Sequence, residues 1–198
     1  MTEKELIEGL SRGDRAAFRE LVENYKKKVY YFALDMVGNQ ADAEDISQEV
    51  FLKVFRSFKT FRKDAKLSSW LYRVAYNTTI DSIRKRTVTP ESMEDRALEA
   101  AAEKNLALTN SVRPDPAREA EQLLLQEKIE RALQKVSEQE RAVFLLRHYD
   151  DLMIKDIAEV LGISSGSVKS YLFRAIKKLQ KELSGGPFGA SSGLGVSP

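Results

Sequence analysis

Apolar residues recur along this chain at three- and four-residue spacing almost without a break. No stretch alternates apolar with polar over the four to eight residues that a half-buried strand requires. The pattern predicts an all-α protein, with helices at about 2–10, 14–37, 41–59, 68–86, 118–135, 138–149, 154–161 and 165–183. Several carry start signals: Asp14 precedes RAAFRELV, Ser68 precedes SWLYRVA, and SEQE at Ser137–Glu140 has the spacing of a reciprocal cap. Such side chains accept the amides that a helix start leaves unpaired.

Periodicity fails between Thr87 and Arg118, where Pro90, Pro114 and Pro116 punctuate a stretch with no sustained apolar face. EDRALEAAAEKNLAL within it has too few large apolar residues to hold more than a transient helix against a core. The expected organisation is therefore two small helical domains, 1–86 and 119–184, joined by a flexible acidic linker, 87–118. A Gly/Ser-rich tail, 185–198, holds five of the ten glycines and is expected to be disordered.

The net charge of +2 conceals an ordered distribution. Residues 1–86 balance at +4, residues 87–127 at −5 and residues 128–198 at +3. Two basic ends around an acidic middle suggest two surfaces for a polyanion, joined by a segment that nucleic acid repels.

Composition removes whole classes of chemistry. Cysteine is absent, which excludes disulfides, thiolate catalysis and cysteine-based zinc sites. The single histidine, His148 in LLRHYDD, lacks an acid at helical spacing before it and reads as a helix C-terminal cap. No nucleophile paired with a base, no metal cluster and no phosphate loop is present, so no catalytic residue, cofactor or metal is expected. The opening MTEKELIEGL carries acids and no apolar block, and no apolar run approaches the ~20 residues a spanning helix needs. A cytoplasmic protein without membrane insertion is expected.

Near the end, DIAEVLGISSGSVKSYLFRAIKKL has the form of two helices around a tight corner. Counted from Ile154, Ala158, Gly162 and Val168 occupy the fifth, ninth and fifteenth places of a helix-turn-helix. A small residue admits the crossing helix, glycine takes the positive φ of the corner, and valine packs the second helix on the first. Val168, Leu172, Ala175, Ile176, Leu179 and Leu183 form the apolar stripe of that second helix. Ser167, Lys169, Ser170, Arg174, Lys177, Lys178 and Lys181 project elsewhere, and a helix so charged can enter a major groove by its first turn while later cations meet phosphates.

The front half holds 12 of the 17 aromatic residues. FRKDAKLSSWLYRVAYNTTIDSIRKR mixes Trp70, Tyr72, Tyr76 and Asn77 with Arg62, Lys63, Lys66, Arg73, Arg84, Lys85 and Arg86. Aromatic faces stack on unpaired bases, an asparagine amide reads a base edge, and cations hold the backbone. The same composition also serves a helical core with a charged rim. In ADAEDISQEVFLKVFRSF, Ile46, Val50, Val54, Phe55 and Phe58 are expected to face inward, leaving Asp42, Asp45, Gln48, Glu49 and Leu52 on a face that is either solvated or docks another protein's helix.

DAEDISQEVFLKVF, SSWLYRVAYN and IAEVLGISSGSVKSYLFRA, in that order and spacing, resemble the bacterial extracytoplasmic-function sigma factors over about residues 10–86 and 119–183. The resemblance implies a detachable, non-enzymatic subunit of RNA polymerase. Its front domain recognises and opens the minus-ten element and its rear domain binds the minus-thirty-five duplex. Carried onto this chain, Asp42, Asp45, Gln48, Glu49 and Leu52 would dock the polymerase core. Arg62, Lys63, Lys66, Ser68, Trp70, Arg73, Asn77, Arg84 and Arg86 would serve single-stranded minus-ten DNA. Ser164, Ser165, Ser167, Lys169, Ser170, Arg174, Lys177 and Lys178 would serve the minus-thirty-five duplex. The resemblance also implies an anti-sigma partner. Tyr171, where the family often has arginine, and Ser167, where it often has threonine, depart from the pattern. The alternative is a dimeric helix-turn-helix regulator that binds palindromic duplex without polymerase.

Overall fold

The structure is a computed structural model and describes residues 2–61, 66–88, 128–129, 131–149 and 152–184. Helix α1 (Glu3–Ser11) opens on a reciprocal cap, in which Thr2 Oγ1 accepts the Glu5 amide at 3.3 Å and the Thr2 amide donates to the Glu5 carboxylate at 2.8 Å. The Asp14 carboxylate accepts the Ala16 amide at 2.7 Å and starts α2 (Arg15–Val37), as the sequence predicts. Asn39 starts α3 (Gln40–Ser57), which runs into a single 3-10 turn at Phe58–Thr60. Helix α4 (Leu67–Val88) begins one residue before Ser68, and the Lys66 carbonyl accepts its first hydrogen bond, from the Trp70 amide at 3.1 Å. The serine expected to cap this helix thus lies inside its first turn; Leu67 is fully buried, and core packing rather than the hydroxyl sets the start.

In the rear half, α5 (Glu138–Tyr149) starts on the predicted Ser137–Glu140 cap, followed by α6 (Ile154–Leu161) and α7 (Ser165–Ser184). Residues 131–134 are helical, within the 118–135 prediction. Most of that prediction, the linker beyond Val88 and the tail from Gly185 lie outside the described residues. Among the described residues there is no strand.

The front lobe packs α2 on α3, α3 on α4 and α1 on α2 around Leu21, Phe32, Val50, Val54, Leu71 and Tyr72. The rear lobe packs α5, α6 and α7 around Leu145, Leu146, Ile157, Val168 and Ala175. Burying each such aliphatic or aromatic side chain contributes about 1.5–3 kcal/mol. One expected inward residue is misplaced: Phe55 is 56% exposed, three residues beyond Leu52 on the outer side of α3, and only its flank meets Phe18, ring to ring at 5.0 Å. Ile46, Val50, Val54 and Phe58 face the core as expected. The lobes also touch each other, α4 against α6 and α2 against α5.

The corner between α6 and α7 follows the spacing argument. Gly162 has φ +66° and donates its amide to the Ala158 carbonyl, which also accepts the Ile163 amide at 3.0 Å. Val168 is completely buried against α6. A Cβ at Gly162 would meet nothing within 4 Å, so any penalty there comes from backbone conformation alone. Gly162→Ala should therefore cost about 1 kcal/mol and Gly162→Asn less, because asparagine tolerates the left-handed region. Urea unfolding midpoints check the ordering, and equal stability of all three would show that the corner relaxes.

Candidate nucleic-acid interface

Helix α7 begins with its predicted contact residues partly committed to its own start. Ser164 Oγ accepts the Ser167 amide at 3.0 Å and lies 2.9 Å from Ser167 Oγ, so Ser164 caps the helix and its hydroxyl also engages that of Ser167. Ser165, Lys169, Ser170 and Lys177 are exposed, and the one-turn spacing of Ser165 and Lys169 places those two on one side. The sequence reading missed Phe173, which is 68% exposed one turn after Lys169. Its spacing from Lys169 was the available signal; an outward phenyl on a cationic helix suits a thymine methyl.

Arg174 and Lys178 are exposed and also make an internal contact that spacing does not announce. Both reach back to Glu140 on α5: Lys178 Nζ lies 2.6 Å from Oε2 and Arg174 Nε 3.2 Å from Oε1. The Glu140 carboxylate side chain is only 5% exposed and also accepts the Ser137 amide at 3.3 Å. Burial pushes its pKa up, but the bonds from Lys178 and Ser137 outweigh burial and hold it below the ordinary carboxylate value of 4.5. The Arg174 guanidinium also lies over the Tyr171 ring, 4.8 Å from its centre.

On the front lobe, Trp70 is half-buried in an aromatic cluster, edge-on to Phe58 and Phe61 at 5.5 Å each. Ser68 is half-buried and Asn77 and Arg84 are exposed along α4. Arg62 and Lys63 lie outside the described residues. Lys66 and Arg73 are turned to the rear lobe: Lys66 Nζ meets Asp156 Oδ2 at 2.7 Å, and Arg73 Nη2 donates to the Glu159 carbonyl at 2.6 Å. Both acceptors lie on α6, so two of the expected minus-ten cations are occupied in this arrangement. Arg86 pairs with Asp42, a residue expected on the polymerase-docking face, and Asn39 also holds Asp42 as part of the α3 cap. Asp45, Gln48 and Leu52 are exposed, and Glu49 pairs with Lys53 at 3.0 Å. With Phe55, Leu52 makes an outward apolar pair bordered by these acids.

No group of side chains able to hold a metal occurs among the described residues, and no helix among them is long and apolar enough to cross a membrane. His148 sits in the last turn of α5, its ring 4.3 Å from that of Phe144.

Two family models match the chain: Sigma-70 region 2 over residues 21–89 and Sigma-70 region 4 over residues 126–179. The chain is 34% identical over 183 residues to the ECF RNA polymerase sigma factor SigW of Bacillus subtilis (strain 168), covering 91% of this chain and 96% of that one. It is 30% identical to the ECF RNA polymerase sigma-E factor of Escherichia coli (strain K12), covering 92% and 95%. Its fold is similar to CnrH in complex with the cytosolic domain of CnrY, with a TM-score of 0.67 at 21% identity over 92% of this chain and 97% of that one. It is also similar to the sigma factor RpoE of Bartonella quintana solved with the anti-sigma factor NepR, with a TM-score of 0.61 at 22% identity over 84% and 96%.

Because Glu140 has a lowered folded pKa, its stabilising contribution is complete above 4.5 and is lost as pH falls through the folded value. Glu140→Gln should be less stable at neutral pH by on the order of 1–3 kcal/mol, with the gap closing as pH falls below 4.5 and through the folded value. Thermal melts of both proteins over that range check the sign.

Proposed function

This chain belongs to the extracytoplasmic-function group of the sigma-70 family and is a non-enzymatic RNA polymerase sigma factor; from that premise we propose which surfaces do its work. The exposed Leu52–Phe55 pair with Asp45, Gln48 and Glu49 docks the polymerase core, where a small apolar contact ringed by acids fits a basic helical partner. Trp70, Arg73, Asn77 and the cations at the end of α4 take single-stranded minus-ten DNA, together with Arg62, Lys63, Lys66 and Ser68 ahead of them. The first two turns of α7 enter the major groove of the minus-thirty-five duplex. The observation that carries this last assignment is the left-handed corner at Gly162, which leaves Ser165, Lys169, Ser170 and Phe173 outward while Val168 is buried. Domain boundaries at 1–86 and 119–184, with 87–118 as linker, follow from the same reading, as does action in the cytoplasm, where polymerase and template are.

Opening DNA without nucleotide hydrolysis requires binding that favours separated strands over paired ones, offsetting about a few kcal/mol for each unstacked step. Trp70 and Asn77 supply it in this reading. An anti-sigma factor is a further expected partner: sigma factors of this fold have been solved with such proteins, and the exposed Leu52 and Phe55 offer an apolar target that would compete with the core. Engagement of Lys66 and Arg73 by α6 means the lobes must part before the minus-ten strand can load.

Trp70→Ala and Asn77→Ala should each lower affinity for a minus-ten single strand about tenfold, with duplex minus-thirty-five binding retained. Run-off transcription with core enzyme on a promoter library, beside strand-binding titrations, tests this; unaltered titrations and open-complex yield for both variants reject the assignment. Lys177→Ala should lower the slope of log affinity against log salt by about 0.9 at any sequence. Because the chain contains no cysteine, a single pair of introduced cysteines can carry dyes on α3 and α7. Energy transfer between them should fall when core polymerase is added, and constant transfer would show that the lobes stay together.

A further inference from the structure

Among the described residues, Glu140 is the acid with a buried side chain, and it lies on α5, off the helix that faces DNA. Its carboxylate takes Arg174 Nε on one oxygen and Lys178 Nζ on the other. The guanidinium of Arg174 is thereby fixed along one edge, while the Tyr171 ring covers one of its faces at 4.8 Å. Side-chain exposure of Arg174 remains 52%, so the group is held and yet presented. It stands four residues after the exposed Ser170, one turn further along α7.

A flexible arginine near DNA meets any phosphate within reach, whereas one locked by its Nε edge and one face offers a fork of fixed direction, suited to the paired acceptors of a guanine edge. We propose that Glu140 and Tyr171 are positioning residues for promoter readout, locking Arg174 so that it discriminates one base pair of the minus-thirty-five element. The proposal rests on the placement of α7 in the major groove. It assigns a use to Tyr171, whose aromatic ring aims the arginine on the next turn. It also separates the two lysines that sequence pattern treats alike: both are exposed, but Lys178 is bound to Glu140.

The test uses the full chain with core polymerase and a duplex library randomised across the minus-thirty-five element. Arg174→Ala should flatten base preference at one position, which identifies the pair it reads. Glu140→Gln and Tyr171→Ala should each lower the preference at that same position about tenfold while leaving affinity for unselected duplex unchanged or raised; Tyr171→Phe, which keeps the ring, should behave as the parent. Should Arg174→Ala leave every position unchanged, the groove placement itself is wrong. Should Arg174→Ala alter a position while Glu140→Gln and Tyr171→Ala do not, the placement survives and the positioning proposal fails. A loss in Glu140→Gln that is equal at all sequences and tracks its melting temperature also overturns it, since that marks a purely structural role.

Discussion

A guanidinium buried between the two halves of the molecule sets the terms for everything else. Arg141 on α5 is 5% exposed, and burial works against its charge. Its Nη1 donates at 2.6 Å to the carbonyl of Met36, in the last turn of α2, and its Nη2 donates at 3.1 Å to the Val136 carbonyl. Carbonyls in a helix's last turn lack intrahelical partners and gather the negative end of its dipole, so the cation meets dipoles in place of a carboxylate. Asp35 and Glu138 add a favourable field. An ion withdrawn from water costs several kcal/mol unless its donors are satisfied. One accepting carbonyl comes from the front lobe and one from the rear, while the buried Nε has no hydrogen-bond partner among the described residues, so Arg141 keeps both of its bonds only while the lobes are together.

That constraint gives α4 two duties. Leu71, Tyr72 and Ala75 face the front-lobe core, while Arg73 and the preceding Lys66 grip α6. The polar contacts across this joint are weak individually; an ion pair as exposed as Lys66–Asp156 contributes about 0–1 kcal/mol. They exchange readily for phosphates. What resists separation is the apolar contact of the helices and the desolvated Arg141. A partner that binds the separated state better than the joined one shifts the balance by that difference and no more. If polymerase binds the parted lobes better than the joined ones, it supplies that difference and couples promoter binding to holoenzyme assembly.

Much of this was legible beforehand, because periodicity and caps are local properties. The α5 and α6 boundaries, the Asp14 and Ser137–Glu140 caps and the positive φ at Gly162 all follow from residue type and spacing. The misses come from contacts between distant segments. Spacing alone makes Phe55 an inward residue, yet Leu52 and Phe55 share the outer side of α3. Arg174 and Lys178 look like two more cations on a helix face, and nothing local announces that a capping glutamate 34 and 38 residues earlier will hold both. Arg86 and Asp42, assigned to different partners, meet each other. Charge composition counts such residues as available, whereas the fold spends them internally.

This internal use of charge bears on selectivity. Affinity for arbitrary duplex rises with the number of phosphates neutralised, and every cation removed from that set lowers both the affinity and its salt dependence. In α7, Glu140 draws off the charge of Lys178 and constrains Arg174, leaving Lys169 and Lys177 as the exposed lysines of its first four turns without that contact. The rear lobe should then bind unselected DNA weakly when alone. Weakness at each surface is useful for a subunit that meets two elements on one template: joined through the linker and the polymerase, the second contact becomes effectively intramolecular, and modest affinities multiply. Strong phosphate binding by either lobe would retain the protein on any DNA. Base readout from an oriented side chain, with few supporting cations, lets correct spacing of two elements decide where the enzyme starts.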